Sequence, residues 1–261
     1  MIGLFDSGIG GLTVVREVIK RLPQHALIYF GDTARTPYGN KSAEVVAEYG
    51  LQAAKFLIDK GAKVLVVACN TVSAVGMEAI KKAYPSVPVF DVVAPAISAV
   101  NSQNKAQHVG VMGTRALVNS GIYQKLLNGG GKFKVTAHTA PLLVPLVEEG
   151  WLDKPETKRI VKSYLAPFKR AQVDTLVLAC THYPLLKKLI TAKVGKRIKI
   201  IDPACETAQT VANWLVKHPE IDKELKRGDS HFYVSDLTPN FQTIAEKWLG
   251  RKITLEKVHL N

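Results

Sequence analysis

The stretch VLVVACNT, residues 64–71, returns in similar form as TLVLACTH, residues 175–182. In both stretches a short apolar run ends in Ala-Cys and is followed by two polar residues. Apolar runs of this length are typical of strands that are buried on both faces of a parallel sheet. Each cysteine is therefore predicted to lie at the carboxyl end of a strand, where ligands bind in open α/β sheets.

Strands and helices alternate along the rest of the chain. Stretches with apolar residues at three- and four-residue spacing predict helices, including one that begins at Leu12, one behind the N-cap candidate Ser42, and one each at 72–84 and 185–192. The alternation predicts an α/β fold with mostly parallel sheets. Further apolar runs with strand character lie at 2–5, 26–30, 87–90 and 108–112.

The pattern occurs twice. The two cysteine stretches lie roughly 110 residues apart, and a similar distance separates the strand before Asp6 from the strand before Gly113. This spacing predicts two similar α/β domains rather than one large sheet. Chance similarity between apolar strands is the alternative, and the matched cysteines argue against it. Two such domains would bring the cysteines to opposite sides of a shared cleft.

The composition excludes several classes of protein. The chain has 261 residues, 47% hydrophobic and 22% charged, as in globular proteins. Its first residues do not resemble a secretion signal, and no apolar stretch approaches the roughly 20 residues of a membrane span, so we expect a cytoplasmic protein without a membrane partner. The net charge of +13 favours anionic partners. However, the basic residues are dispersed without interleaved aromatic residues, so a nucleic-acid-binding protein is the less favoured alternative.

The two matched cysteines are the strongest chemical signal. A thiol beside a helix N-terminus is expected to have a lowered pKa, because the backbone N–H groups stabilise its thiolate. Two thiols across a cleft could serve as base and acid on opposite faces of one carbon and so invert it. A metal site and a redox pair are rivals, but they lack the usual ligand and CxxC spacings, and a single nucleophile is a third. We interpret Cys205, which has no counterpart in the other half, as structural.

Two polar loops are expected at the same edge as the cysteines. Residues 6–11, DSGIGG, would hold Asp6 and Ser7 in the cleft, with backbone N–H groups placed to receive a carboxylate. A dinucleotide-binding site is disfavoured because Thr13 occupies the place of the third glycine of that motif. Residues 31–40, GDTARTPYGN, form the second loop. A purely geometric turn and a surface loop are the respective alternatives.

Taken together, the motifs FDSGIGG, GDTARTPYG, VVACNT, LVPLVEEG and LACTHYP resemble those of the glutamate racemases, within the aspartate/glutamate racemase family. With the helical tail, the resemblance covers nearly the whole chain. It implies two α/β sandwich domains with the active site in the cleft between them. It also implies a homodimer that interconverts L- and D-glutamate for peptidoglycan synthesis without pyridoxal phosphate, nucleotide or metal. A racemase acting on aspartate or a hydantoin is the alternative.

The resemblance also implies roles for particular residues. Cys69 and Cys180 would be the acid and base, with Asp6 supporting Cys69, His182 supporting Cys180, and Glu148 in the same pocket. The sequence does not choose between Glu148 and its neighbour Glu149. The residues implied to bind substrate are Asp6, Ser7, Tyr38, Gly39, Asn70, Thr71, Thr114, Thr181 and His182.

Two further expectations come from the resemblance. The family's second domain is inserted into its first, which implies a first domain of residues 1–93 plus 207–261 and a second of residues 94–206. In addition, Leu117 stands where the family often has a threonine. This chain is therefore expected to lack one hydroxyl contact to its substrate or to supply it elsewhere.

Overall fold

The computed structural model describes residues 1–103, 106–129 and 131–260. Its named strands lie in two parallel sheets that helices cover, so the predicted α/β class with mostly parallel sheets is confirmed. The strands are β1 (Ile2–Asp6), β2 (Leu27–Gly31), β3 (Val64–Val67), β4 (Val89–Asp91), β5 (His108–Gly113), β6 (Lys134–Thr139), β7 (Thr175–Ala179), β8 (Lys199–Ile201), β9 (His231–Val234) and β10 (Leu255–Lys257).

Most helices follow the strands in alternation, as the sequence pattern predicts. The helices are α1 (Leu12–Arg21), α2 (Ala43–Asp59), α3 (Asn70–Val75), α4 (Met77–Ala83), α5 (Val93–Asn101), α6 (Arg115–Ser120), α7 (Ile122–Asn128), α8 (Leu143–Glu148), α9 (Pro155–Arg170), α10 (Lys187–Val194), α11 (Pro203–Lys217), α12 (Pro219–Glu224) and α13 (Pro239–Leu249). Short 3-10 helices span Tyr38–Asn40 and Tyr183–Leu186. Within the described ranges, no helix is both long enough and apolar enough to cross a membrane.

Four neighbouring strands of the first sheet have the same order as the four strands of the second. The first runs β10-β9-β2-β1-β3-β4 and the second β6-β5-β7-β8, with every pairing parallel. Hence β1 and β3 in the first sheet correspond to β5 and β7 in the second. The first sheet is built from both ends of the chain, since β9 and β10 add to the β2 edge. The carboxyl ends of β3 and β7 lead into the two cysteine loops.

Buried apolar side chains explain why these stretches form strands and helices. Every residue of β1, β2, β3 and β7 is buried. The Ser42 hydroxyl accepts a 3.4 Å hydrogen bond from the N–H of Val45, so the predicted N-cap of α2 is confirmed. Helix α11 packs against α1 beside the first sheet and against α5 beside the second. Residue 207, the expected domain limit, lies inside this helix.

The structure corrects the predicted helices after the two cysteines. The segment predicted as one helix over residues 72–84 is two, α3 and α4, with Gly76 between them. Glycine favours such a break because it has a low helix propensity. After the second cysteine, a 3-10 helix containing Pro184 comes first, and α10 begins only at Lys187.

Candidate active site

The loops at the carboxyl ends of β1, β2, β3, β5 and β7 meet around a small cavity between the two sheets. We call it the inner cavity; its volume is about 20 Å³. Both predicted catalytic thiols contribute to its wall and are buried. The inner cavity is lined by Ser7, Thr36, Pro37, Tyr38, Gly39, Cys69, Asn70, Thr71, Thr114, Val144, Cys180, Thr181 and His182.

Cys69 lies at the N-cap of α3. Burial and the nearby charge of Asp6 raise the pKa of its thiol to about 12, against the opposing effect of the nearby backbone N–H groups of Val72 and Thr71 and the Ser7 hydroxyl. The expectation that the helix N-terminus lowers this pKa overall is therefore wrong for Cys69. The N–H groups act in the expected direction, but desolvation outweighs them.

Asp6 ends β1 with a fully buried carboxylate. Its Oδ2 accepts hydrogen bonds from the N–H groups of Gly8 at 3.2 Å and Gly11 at 2.9 Å, and its Oδ1 accepts one from Thr181 Oγ1 at 3.4 Å. Burial raises the pKa of Asp6, although nearby His182 and the backbone donors oppose the shift. Gly11 allows this close turn, because a Cβ there would lie 2.4 Å from the Cβ of Asp6.

Cys180 is paired with an imidazole instead of a helix N-terminus. Its Sγ lies 3.8 Å from Nδ1 of His182, whose Nε2 lies 3.0 Å from Oε1 of Glu148. Burial alone would lower the pKa of His182, but the hydrogen bonds to Cys180 and Glu148 outweigh it and raise this pKa to about 10. His182 is therefore an imidazolium at neutral pH, with one N–H directed at the sulfur and the other at the carboxylate.

The structure distinguishes the two adjacent glutamates. Glu148 is the last residue of α8 and contacts His182, with a quarter of its side chain exposed. Glu149 is the C-cap residue and is exposed. Glu148 does not line the inner cavity itself. It reaches the site through the imidazole.

Tyr38 and Gly39 approach the site from the loop after β2. The Tyr38 hydroxyl donates to Oδ2 of Asp32, whose carboxylate also accepts from Arg35 Nε at 2.6 Å and Ser235 Oγ at 2.7 Å. Burial, followed by the charge of Asp32, raises the pKa of Tyr38. Asp32 therefore holds Tyr38 in place and is already occupied by protein partners, unlike the free acid of a dinucleotide site.

A threonine pair links the two sides of the cleft beside this loop. Thr71 Oγ1 lies 3.0 Å from Thr114 Oγ1, so the end of β3 contacts the end of β5. Gly39 packs directly on Thr114, since a Cβ on the glycine would lie 2.6 Å from the threonine Cβ. A larger side chain at residue 39 would push the two loops apart.

Comparison with known proteins identifies the family. A family model described as Asp/Glu/Hydantoin racemase matches residues 12–211. The chain belongs to this racemase family. It is 44% identical to a glutamate racemase of Geobacter metallireducens, over 97% of this chain and 93% of the relative.

Solved racemase structures agree with this assignment. A Francisella tularensis glutamate racemase in complex with D-glutamate is 35% identical with a TM-score of 0.91, over 100% of this chain and 97% of that one. Glutamate racemase RacE1 from Bacillus anthracis is 38% identical with a TM-score of 0.93, over the same shares. The resemblance to glutamate racemases that rests on the motifs is confirmed.

The inner cavity of this racemase has features that the motifs alone did not single out. Thr36, Pro37 and Val144 line it. They lie within the quoted motifs, so only their inward position was missed. Thr36 Oγ1 and Asn70 Oδ1 are buried and have no hydrogen-bond partner among the described residues. Both atoms are therefore available to a ligand.

The Leu117 side chain does not line the inner cavity. Leu117 is buried in an apolar cluster beside the second sheet, so its side chain faces this core rather than the inner cavity. Its N–H donates to Thr114 Oγ1 at 3.3 Å.

Across residues 1–103, 106–129 and 131–260, no three His, Cys, Asp or Glu side chains converge as metal ligands would.

Proposed function

We propose that this protein interconverts L- and D-glutamate, with Cys69 and Cys180 acting on opposite faces of the substrate α-carbon. The observation that carries the proposal is the presence of both thiols in one cavity, at the ends of β3 and β7, which occupy corresponding places in the two sheets. The protein is a glutamate racemase, an isomerase, and curated relatives of that activity share 41–44% identity over nearly its whole length. The identity favours glutamate over aspartate or a hydantoin.

The proposed reaction is two proton transfers. A thiolate on one face takes the α-proton, so that the C–H bond breaks and its electron pair stays on the substrate, delocalised into the α-carboxylate. The thiol on the other face then gives its proton to the same carbon, which forms the new C–H bond with inverted configuration. Fixed hydrogen-bond donors around the inner cavity stabilise the intermediate charge.

The free site favours one arrangement of these protons. The pKa of about 12 keeps Cys69 a thiol at neutral pH. His182 Nδ1 lies 3.8 Å from Cys180 Sγ, within reach to exchange a proton with this sulfur. We therefore assign Cys180 as the base and Cys69 as the acid of the free site.

Each turnover exchanges the two protonation states, and the site must restore them. The hydroxyl of Thr181 lies 3.4 Å from Oδ1 of Asp6 and 3.5 Å from Nδ1 of His182. It therefore lies between the carboxylate beside Cys69 and the imidazole beside Cys180. We assign Asp6 and His182 as the groups that carry protons to and from the two thiols.

The substrate would be held by groups that line the inner cavity. The N–H groups at the start of α3 and the hydroxyls of Ser7, Thr71 and Thr181 suit the α-carboxylate. Asn70 Oδ1, an unpartnered acceptor in the described chain, suits the substrate ammonium. Tyr38, Gly39 and Thr114 would close the site from the side.

Several wider expectations are also proposals. We propose a cytoplasmic homodimer whose product serves peptidoglycan synthesis, as the family resemblance implies. We propose domain limits of 1–93 plus 207–261 and 94–206, which the distribution of strands between the two sheets supports. We propose no nucleic-acid partner despite the net charge of +13, because the basic residues are dispersed along the chain.

The test is proton NMR of each glutamate enantiomer with the protein in D2O, without added cofactor. We expect deuterium to enter the α-position together with inversion. L- and D-aspartate and a hydantoin, measured in parallel, should react far more slowly. Faster reaction of aspartate or the hydantoin would mean that this compound, and not glutamate, is the substrate. A lack of exchange with every compound would refute the proposal.

A further inference from the structure

The inner cavity is too small for the substrate that the proposed function requires. Its volume of about 20 Å³ accommodates roughly one water molecule. Glutamate, with two carboxylates and an ammonium, is several times larger. The loops around the inner cavity must therefore separate before glutamate can lie between the thiols.

A second, larger cavity adjoins the first. We call it the outer cavity; its volume is about 310 Å³, which is within the range of small-ligand pockets. It shares Pro37, Gly39, Thr114 and Val144 with the inner cavity, so these four residues form the partition between the two. The outer cavity is also lined by Asn40, Arg115, Pro141, Leu142, Pro145 and Glu148. It is the space from which a small molecule reaches the partition.

The two charged residues of the outer cavity differ in their hydrogen-bond partners. Among its described lining residues, Arg115 is the cation and Glu148 the anion. Glu148 is already bonded to His182. The Arg115 guanidinium, by contrast, donates a 3.1 Å hydrogen bond to the neutral amide oxygen of Asn40. A carboxylate is a stronger acceptor than an amide and can take two guanidinium N–H groups at once.

The bond between Arg115 and Asn40 also spans the cleft. Arg115 begins α6, after β5 of the second sheet, whereas Asn40 ends the 3-10 helix that follows β2 of the first. Each residue is the chain neighbour of a partition residue, Thr114 or Gly39, and these two are in direct contact. The bond therefore holds together the two loops that must separate.

We propose that Arg115 is a substrate-positioning residue at the entrance, which exchanges Asn40 for the side-chain carboxylate of incoming glutamate. This inference rests on the proposed racemisation of glutamate. The exchange binds the substrate against the partition and, in the same step, releases the bond that holds the partition closed. It also selects amino acids that carry a second carboxylate, because a neutral side chain does not replace Asn40.

The test compares variants of Arg115 and Asn40 by steady-state racemisation. Arg115→Gln should lower kcat/KM for glutamate about tenfold, as for the loss of a charge-assisted hydrogen bond, and change kcat little. Arg115→Lys keeps the charge but not the paired N–H groups, so its kcat/KM should lie between those of Arg115→Gln and the unmodified protein. Asn40→Ala should leave kcat/KM equal to or above that of the unmodified protein, since the competing partner is removed.

A matched control separates local contact from overall charge. Arg197 is exposed and precedes β8, so it lies at the amino end of this strand, whereas both cavities lie at the carboxyl ends of the parallel strands. Arg197→Gln removes the same charge and should leave kcat/KM unchanged. Raising the salt concentration should lower kcat/KM more steeply in the unmodified protein than in Arg115→Gln, because ions screen the attraction.

Two outcomes would overturn the inference. Equal losses in Arg115→Gln and Arg197→Gln would mean that only net charge matters. Equal losses in Arg115→Gln and Asn40→Ala would mean that their mutual bond is structural. Failure of the proposed function is distinguishable from both, because the unmodified protein would then not racemise glutamate at all.

Discussion

The loops of Cys69 and Cys180 occupy corresponding positions in two similar sheets, yet their surroundings differ. Cys69 caps a helix, faces the Asp6 carboxylate and has a raised pKa. Cys180 precedes a 3-10 helix and contacts the imidazolium of His182, which Glu148 supports from behind. Equivalent backbone positions thus carry thiols whose nearest charged groups have opposite sign. The proposed reaction has two mirror-image substrates, yet the site to which we assign it is not symmetric.

The largest expected effect tests whether both loops are needed. Cys69→Ser and Cys180→Ser should each reduce racemisation about a thousandfold, because a serine hydroxyl is too weak an acid to exchange the proton. Polarimetry of either enantiomer measures the loss. Cys205→Ser is the control and should racemise normally. Retained inversion in either cavity variant would mean that one thiol suffices.

His182→Asn tests the asymmetry of the two loops. It should lower kcat/KM about a hundredfold, and equally for both enantiomers, because L- and D-glutamate have the same free energy and their equilibrium constant is one. The asymmetry should show in isotope effects with α-deuterated substrates. The effect should increase for the enantiomer whose proton Cys180 removes, since that step becomes slower. Equal increases for both enantiomers would contradict the assignment of His182 to Cys180.

Glu148→Gln tests the outer partner of the imidazole. The pKa of about 10 keeps His182 charged well above neutral pH, so kcat/KM should fall as pH rises through that value. Removing the carboxylate should move this alkaline limb to lower pH and reduce activity at neutral pH about tenfold. Glu149→Gln, the same change at an exposed neighbour, should leave the pH profile unaltered. Identical profiles for the two variants would exclude the proposed role of Glu148.

The raised pKa of His182 also makes the free energy of unfolding depend on pH. A raised pKa means that the folded protein binds this proton more tightly than the unfolded chain. The stabilisation is therefore complete below about pH 6.5, the ordinary value for histidine, and is lost as pH rises through about 10. Urea unfolding across this range should show the loss, and Glu148→Gln should diminish it.

Thr13→Val has the smallest expected effect and concerns the contact between α1 and the Cys180 loop. The Thr13 hydroxyl lies 2.9 Å from the backbone oxygens of Thr181 and Gly10. Its loss should lower the free energy of unfolding by about 1–2 kcal/mol, because buried acceptors lose a donor, while the rate changes little. Thermal unfolding measures this. Thr13→Ser keeps the hydroxyl and should be closer to the unmodified protein.

Much of the frame could be predicted from the sequence. The strand that leads to each cysteine is a continuous apolar run, so β3 and β7 and their ends follow from local pattern. The packing around these ends could not be predicted in the same way. Whether the pKa of Cys69 is raised or lowered depends on the balance between burial and nearby N–H groups. That balance is set by the packing of the folded chain and not by local sequence.

Contacts between residues that are far apart in the sequence could not be predicted from local sequence pattern either. Only one of two adjacent acids, Glu148, ends α8 facing His182. Asp32 lies in the polar loop after β2, but it holds Tyr38 together with Ser235, some 200 residues later in the chain. No spacing rule in the sequence connects these groups.

The attachment of β9 and β10 to the β2 edge has a consequence for biosynthesis. A nascent chain that ends before residue 231 already contains every strand of the second sheet, but it leaves the hydrogen-bonding edge of β2 open. The segment that closes this edge also brings Ser235 to Asp32, and with it a fixed Tyr38. The first sheet is therefore begun before the second and completed after it, so the Ser235 contact that supports Asp32 and Tyr38 cannot form until this segment has been synthesised.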